Sequence, residues 1–179
     1  MTAAPGLSER DQQSTTTKIQ KGSKMSTTLR PIGTIRTPFA TKEEAPIHGA
    51  FHPEAVGTLE VYPEFAEGLT DVEGFSHLIL LYEFDRHGKV NLMQPTFLSE
   101  EAHGVFACRR PARPNPIGLT IVSLLKREGV TLTVGGVDML DGTPLLDIKP
   151  YVPRFDSFPE ANEGWLEGRQ DGPKPAGRE

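Results

Sequence analysis

Short runs that alternate apolar and polar residues occupy the middle of the chain and predict β-strands. In VTLTVGG, residues 130–136, three apolar residues alternate with two threonines, so one face of this strand is expected to be buried. The runs IGTIRTP, residues 32–38, and VGTLEVY, residues 56–62, are also short, rich in β-branched residues and bounded by Gly or Pro. The pattern therefore predicts several half-buried strands.

Two longer segments indicate how these strands combine. FSHLILLYEF, residues 75–84, is apolar on most of both faces, which is typical of a central strand or one wall of a barrel. GLTIVSLLKREGVTLTV, residues 118–134, predicts two strands joined by a tight Arg-Glu-Gly turn. A helix of one or two turns is expected at PEFAEGL, residues 63–69, and 18 glycines and 16 prolines argue against long helices. The predicted fold is mainly β, a small β-barrel with few short helices.

The two ends of the chain differ in composition from this β-rich middle. Residues 1–28 are rich in Thr, Ser, Gln and Lys without apolar periodicity, so burial cannot offset the entropy lost on ordering them. We therefore expect a disordered N-terminal extension at 1–28, a β-barrel domain at 29–158 and a C-terminal tail at 159–179. No apolar stretch of about eighteen residues and no secretory signal is present, so membrane association is not expected. The single cysteine, Cys108, cannot form an internal disulfide, which favours a reducing, cytoplasmic location.

Positive charge is concentrated in one stretch of a chain that is acidic overall. The formal net charge is −5, so a polyanionic partner would have to bind a local patch. RRPARPNPIG, residues 109–118, contains three arginines, three prolines and no acidic residue, and proline stiffens the backbone around it. Guanidinium groups on such a loop are suited to binding carboxylate or phosphate. The alternative is a solvated turn whose arginines pair with surface acids.

Aspartates cluster in a second segment, VDMLDGTPLLDIKPYVPRFD, residues 137–156. Asp141 precedes a glycine and is explained by turn formation, whereas Asp138 and Asp147 are flanked by apolar residues. A carboxylate near a core usually has a partner, which makes these two residues candidates for a functional role. Their spacing is not that of a calcium loop, so no metal ion is expected. His77, in an apolar strand, is interpreted as a core residue.

Five segments, taken in order, carry a resemblance to a known family. They are RPIGTIRTPF, EAPIHG, FAEGLTDVEGFSHLILLYEFDR, HGVFACRRPARPNPIGLTIVSLL and GVDMLDGTPLLDIKPYVPRFD. They resemble the TrmO/TsaA family of S-adenosylmethionine-dependent tRNA methyltransferases, over the range 29–156. The resemblance implies a small β-barrel methyltransferase of non-Rossmann type that forms a homodimer with the methyl donor near the subunit interface. The implied substrate is the threonylcarbamoyl-modified adenosine beside the tRNA anticodon, methylated on its N6 nitrogen.

The resemblance also implies which residues bind the methyl donor, S-adenosylmethionine. Carried over position by position, these are Pro46, Ile47, His48, Asp85, Arg86, Arg109, Leu119, Gly135, Gly136, Val137 and Asp138. The donor carries a carboxylate and ribose hydroxyls, so it requires a guanidinium and an acceptor. Arg109 and Asp138 are plausible in these two roles.

Further residues are candidates for catalysis and for contact with tRNA. Methyl transfer is an in-line displacement that depends on positioning, and the attacking nitrogen must lose a proton. The candidate catalytic residues are Asp138, Asp147 and Tyr151, and the candidate tRNA-binding residues are Arg110, Arg113, Asn115 and Lys149.

Two features distinguish this chain from other members that it resembles. Many members have Ala-Thr-Arg-Ser where this chain has Ala107, Cys108, Arg109 and Arg110. Longer bacterial members continue with an extra C-terminal domain. If that domain helps to bind tRNA, this short form is expected to rely on its own basic loop or to act on a different substrate. Three functions stay open: a tRNA methyltransferase, a methyltransferase of another substrate, and a non-catalytic barrel that binds S-adenosylmethionine.

Overall fold

The computed structural model describes residues 28–169, and eight β-strands account for most of their regular structure. The strands are β1 (Gly33–Arg36), β2 (Val56–Val61), β3 (His77–Glu83), β4 (Met93–Thr96), β5 (Ser99–Gly104), β6 (Ile117–Glu128), β7 (Thr131–Gly135) and β8 (Thr143–Pro150). Six of them close into a barrel in the order β1-β2-β7-β6-β3-β8, while β4 and β5 form a separate two-stranded sheet. The prediction of a mainly β barrel is confirmed.

Helices are few and short, as the glycine and proline content predicts. A single α-helix, α1 (Pro153–Asp156), is found among the described residues. The 3-10 helices are Gly49–Phe51, Pro63–Leu69, Val72–Gly74, Val105–Ala107 and Gly164–Leu166. The helical turn predicted at 63–69 has the same bounds in the structure. None of the described helices has the length and apolar character needed to cross a membrane.

Strand β6 shows how the alternating sequence pattern builds the core. Thr120 and Val122 are buried inside the barrel, whereas Leu119 and Ile121 point outward and are 48% and 40% exposed. The predicted hairpin is confirmed, but its turn is shorter than expected. Arg127 and Glu128 still pair with β7, and Gly129, with a positive φ of 61°, lies in the turn between the two strands. The inward residues of the other strands complete the core; they include Ile35, Leu59, Leu78, Leu80, Tyr82, Leu132, Val134 and Leu145.

The antiparallel pairing brings three loops to one end of the barrel. At this end, called here the upper end, β1, β3 and β7 finish and β2, β6 and β8 begin. The loops 37–55, 84–116 and 136–142 therefore all leave or enter the barrel at its upper end. These loops contain nine of the eleven residues that the family resemblance assigns to donor binding. Of the other two, Gly135 is the last residue of β7 and Leu119 lies on β6.

The predicted terminal segments meet the described residues only in part. The expected disordered extension at 1–28 lies outside the described residues except for residue 28. Residues 159–169 of the expected tail are described, and they include the 3-10 helix Gly164–Leu166. Trp165 of this helix stacks on His103 of β5 with ring centroids 4.0 Å apart.

Candidate functional site

Two loop segments touch each other at the upper end of the barrel. A Cβ atom on Gly49 would lie only 1.8 Å from the carbonyl oxygen of Gly136, so no side chain fits at position 49. Gly136 has a φ of 83°, in the left-handed region, and its N–H donates to the carbonyl of Ala55 at 2.8 Å. The structure thus brings segment 46–49 against segment 135–138, which are two of the stretches assigned to donor binding.

Asp138 joins these segments to the barrel through its carboxylate. Oδ2 accepts a hydrogen bond from the N–H of Gly49 at 2.9 Å and another from the hydroxyl of Thr120 at 3.2 Å. The second oxygen, Oδ1, is buried and has no hydrogen-bond partner among the described residues. Burial raises the pKa of Asp138, and the hydrogen bond from Gly49 opposes that rise. The site therefore contains a buried carboxylate with one acceptor oxygen left unpaired.

Tyr82 lies beside this carboxylate and was not among the residues predicted from the sequence. Burial raises the pKa of its phenol, and the adjacent Asp138 carboxylate raises it further. The carboxylate of Asp138 is the polar neighbour of this buried phenol. The signal in the sequence was a tyrosine within an apolar strand, because a buried phenol usually requires a polar neighbour.

The raised pKa of Asp138 leads to a prediction about stability. Because the folded-state pKa is above the unfolded value of about 4, ionisation costs more free energy in the folded protein than in the unfolded chain. The free energy of unfolding of the wild type, relative to Asp138→Asn, should therefore fall as the pH rises above about 4 and then level off. Urea unfolding of both proteins at a series of pH values tests this, with the exposed Asp71→Asn as the control for loss of one charge. If the difference in free energy of unfolding between the wild type and Asp138→Asn does not vary with pH, the prediction is wrong.

Arg109 and His48 meet at the mouth of the same site. Nη1 of Arg109 lies 3.3 Å from Nε2 of His48. The ring of His48 is oriented through Nδ1, which accepts from the N–H of Ala50 at 3.1 Å. A neutral histidine that accepts at Nδ1 carries its proton on Nε2, so two donors face each other here. Two donors at this separation are suited to binding one carboxylate between them.

Arg86 holds the end of β3 to the segment that follows β7. Its Nη1 donates to the carbonyl of Asp141 at 2.9 Å, and its Nη2 donates to the hydroxyl of Thr143 at 3.0 Å. Nε donates to Asp85 at 3.1 Å, which fixes that carboxylate at the upper end. The guanidinium of Arg86 is thus bonded to protein acceptors on each of its three nitrogens.

Asp147 and Tyr151, two of the three candidate catalytic residues, lie away from the third, Asp138. Asp147 pairs with Leu81 on the outer face of the barrel, and its Oδ2 lies 2.6 Å from Nζ of Lys149. The backbone N–H of Tyr151 donates to the carbonyl oxygen of His77, the first residue of β3, at the opposite, lower end of the barrel. Lys149 is likewise on this outer surface and away from the arginine-rich loop. Within residues 28–169, no group of three or more His, Cys, Asp or Glu side chains could hold a metal ion.

The arginine-rich loop turns two of its three arginines toward the protein. Arg110 is 6% exposed, and its Nη2 donates to the carbonyl of Pro95 at 3.1 Å. Arg113 is half-buried and donates from Nη1 to the carbonyl of Cys108 at 3.0 Å. A buried guanidinium cannot reach a phosphate, so the position of Arg110 does not fit the predicted contact with tRNA. Arg109 and Asn115 are the predicted ligand-binding residues of this loop that are exposed.

Comparison with known proteins finds one family and several relatives. A family model described as the tRNA-methyltransferase O N-terminal domain matches residues 34–157. A "probable S-adenosyl-L-methionine-binding protein" of Pyrococcus abyssi is 53% identical over 138 residues, covering 77% of this chain and 75% of the relative. A tRNA (adenine(37)-N6)-methyltransferase of Mus musculus is 38% identical over 134 residues, covering 71% of this chain and 31% of the mouse protein.

The fold comparison agrees with the sequence comparison. The crystal structure of TrmO from Pseudomonas aeruginosa matches with a TM-score of 0.67 and 40% identity, over 79% of this chain and 63% of that chain. This chain thus spans less than two thirds of that protein and about a third of the mouse relative. The matched range 34–157 contains every residue of the contacts described above at the upper end.

Proposed function

Because the chain belongs to the family described as the tRNA-methyltransferase O N-terminal domain, we propose that it methylates an adenosine of tRNA with S-adenosylmethionine as the methyl donor. The specific target is the N6 nitrogen of the threonylcarbamoyl-modified adenosine beside the anticodon. The observation that carries the proposal is the convergence of Arg109, His48 and Asp138 at the upper end of the barrel. The names of the relatives, which are S-adenosylmethionine-binding proteins and a tRNA methyltransferase, support it.

The residues at the upper end fit the chemistry of S-adenosylmethionine. The facing donors of Arg109 and His48 suit its carboxylate, and the unpaired Oδ1 of Asp138 is an acceptor for a hydroxyl. Segments 46–48 and 135–137 supply the surrounding backbone. When bound, the donor supplies an activated methyl group, and the contribution of the protein is to bind and orient the reactants. Since Oδ2 of Asp138 already accepts two hydrogen bonds, we assign Asp138 to binding and not to proton removal.

An exposed aromatic residue near Arg109 suits contact with a nucleobase. Phe106 is 79% exposed and lies three residues before Arg109, in the 3-10 helix that leads into the arginine-rich loop. Leu92 and Met93, each 61% exposed, lie at the start of the neighbouring β4–β5 sheet. Aromatic side chains bind unstacked bases through their ring faces, and an arginine beside them attracts phosphate. This surface is our candidate for substrate contact.

A homodimer is part of the proposal, and the outer face of β6 and β3 is the surface that suits it. Leu119 pairs with Leu81 and Ile121 pairs with Ile79, so these four side chains form one apolar stripe. An exposed stripe of this kind is typical of a protein–protein interface, and a two-fold axis would let two copies bury it against each other. Leu119 is also assigned to donor binding, which would bring the donor close to such an interface.

Charges on this stripe should prevent dimer formation. The double variant Leu119→Glu with Ile121→Glu is expected to be monomeric, because burying carboxylates without partners is costly. The control is Leu29→Glu, which replaces another leucine, 54% exposed, outside the stripe. Light scattering after size-exclusion chromatography measures the mass of each protein. A monomeric wild type, or a dimeric double variant, would show that the stripe is not the interface.

Methyl transfer itself is tested with isotopically labelled S-adenosylmethionine and two tRNA preparations. One preparation carries the threonylcarbamoyl group and the other comes from cells that cannot add it. Label in the modified tRNA alone, located on N6 by mass spectrometry of the digested nucleosides, supports the proposal. Transfer to both preparations would support only a broader tRNA methyltransferase. Donor binding without transfer to either would favour another substrate or a non-catalytic barrel.

A further inference from the structure

The position of Arg109 depends on a part of the protein that lies outside the barrel. Among the described residues, β4 and β5 pair only with each other, and the chain continues from β5 through the 3-10 helix Val105–Ala107 to Arg109. A two-stranded sheet on its own is marginally stable in water. Whatever holds this sheet and helix in place therefore determines where Arg109 lies.

The segment 164–169 packs across this sheet. The ring of Trp165 stacks on His103 of β5, with 15° between the ring planes. Nη1 of Arg169 donates to the carbonyl of Leu98, in the turn between β4 and β5, at 2.8 Å. Nε of Arg169 donates to the carbonyl of Trp165 at 2.9 Å, and the guanidinium lies 5.7 Å from the centre of the indole. The segment is thus fixed to both the strand and the turn of the sheet.

The indole N–H of Trp165 reaches the backbone that leads to Arg109. Nε1 donates to the carbonyl of Ala107 at 2.8 Å, and Ala107 is the last residue of the 3-10 helix. The next carbonyl, that of Cys108, accepts from Arg113 at 3.0 Å. Two side-chain donors therefore hold consecutive peptide units directly before Arg109. The backbone at Cys108 is extended, so a displacement at Ala107 is transmitted to Arg109.

We propose that Trp165 is a positioning residue, which holds the carbonyl of Ala107 so that the guanidinium of Arg109 faces His48 and binds the carboxylate of the methyl donor. This inference rests on the proposed function, because it assigns to Arg109 the donor's carboxylate. It adds a residue outside the matched range 34–157 to those that determine donor affinity.

The test uses Trp165→Phe, which keeps a six-membered aromatic ring at the position that stacks on His103 and removes the pyrrole half of the indole together with its N–H. Calorimetry should show S-adenosylmethionine binding weakened about three- to tenfold, the range expected for one lost hydrogen bond. Affinity for decarboxylated S-adenosylmethionine should not change, because that probe lacks the group that Arg109 binds. In an Arg109→Ala background, Trp165→Phe should cause no further loss.

Several results would overturn the inference. The first is that Trp165→Phe binds S-adenosylmethionine as tightly as the wild type. The second is that Trp165→Phe loses as much affinity for decarboxylated S-adenosylmethionine as for S-adenosylmethionine itself. The third is that Trp165→Phe weakens binding in the Arg109→Ala background as much as it does in the wild type. Arg169→Gln is a second variant, which loosens segment 164–169 while keeping the indole. It should also weaken binding of S-adenosylmethionine. Trp165 is the single tryptophan of the chain, so its fluorescence in Arg169→Gln reports whether the segment has moved. A wild type that binds no S-adenosylmethionine overturns the proposed function and this inference with it.

Discussion

Gly49→Ala is expected to weaken binding of the methyl donor by about 100-fold or more, while the barrel stays folded. The new Cβ would lie 1.8 Å from the carbonyl oxygen of Gly136 and 2.7 Å from its carbonyl carbon. Both are backbone atoms, so neither can rotate away. The segment 46–49 must therefore move off segment 135–138, which breaks the hydrogen bond from Gly49 to Asp138 and displaces His48 from Arg109.

The matched control for this variant is Gly68→Ala. An added Cβ at Gly68 meets no atom within 4 Å, and the backbone there does not have a positive φ. The substitution should leave donor binding unchanged and should be neutral or stabilising by up to about 1 kcal/mol. Calorimetry with S-adenosylmethionine and thermal unfolding measure the two effects separately. Wild-type affinity in Gly49→Ala would show that segment 46–49 does not form the donor site.

Arg109→Ala should weaken binding of S-adenosylmethionine by about 10- to 100-fold, the effect of losing a hydrogen bond to a charged group. The reason is the facing pair of donors, Nη1 of Arg109 and Nε2 of His48, of which one would be removed. Arg109→Lys should recover part of the affinity, because an ammonium keeps the charge but not the planar geometry of the guanidinium.

Arg30→Ala is the control for this second prediction. Arg30 is another exposed arginine, bonded to Glu64 at 2.8 Å, and its loss changes the net charge by the same amount. Calorimetric titration with S-adenosylmethionine compares the wild type, Arg109→Ala, Arg109→Lys and Arg30→Ala. It shows whether the loss of affinity is specific to Arg109 or follows from the loss of any positive charge. Equal affinity in Arg109→Ala and the wild type would mean that the donor's carboxylate binds elsewhere.

The barrel strands were predictable because their residues alternate with the period of a half-buried strand. The β4–β5 sheet was not predicted, and its sequence explains why. Met93–Thr96 contains a proline, and Ser99–Gly104 reads SEEAHG, which is polar and without alternation. These strands are held by Trp165 and Arg110, which come from distant or later parts of the chain. The residue pattern within β4 and β5 carries no information about these contacts with Trp165 and Arg110.

The resemblance supplied a set of candidate donor-binding residues but none of the contacts between them. The resemblance singled out His48, Arg109 and Asp138, whereas the approach of Gly49 to Gly136 depends on closure of the barrel. Asp138, Asp147 and Tyr151 were each candidates for proton removal, and the sequence alone did not choose among them. Asp147 lies on the outer face of β8, and Tyr151 follows that strand, which at about 3.3 Å per residue carries the chain on the order of 25 Å from the upper end to the lower end.

The arginine-rich loop shows the limit of inferring exposure from charge. Its three arginines predicted a cationic surface, yet Arg110 is buried against backbone carbonyls of β4, and the half-buried Arg113 donates to a carbonyl of the loop itself. Carbonyl acceptors are invisible in a sequence, because every residue has one and only the fold determines which are unpaired. Proline-rich turns, which leave carbonyls without intrachain N–H partners, are places where buried arginines should be considered.

The pairing of β8 with both β1 and β3 has a consequence for the order in which the protein can fold during synthesis. β1 is among the first barrel strands to leave the ribosome, but its second neighbour begins only at Thr143. Until then the nascent chain presents two open strand edges, one on β1 and one on β3, and each can pair with a strand of another molecule. The last barrel strand to be made is thus the one that closes the sheet, and chains interrupted before residue 143 keep both open edges and are prone to aggregate.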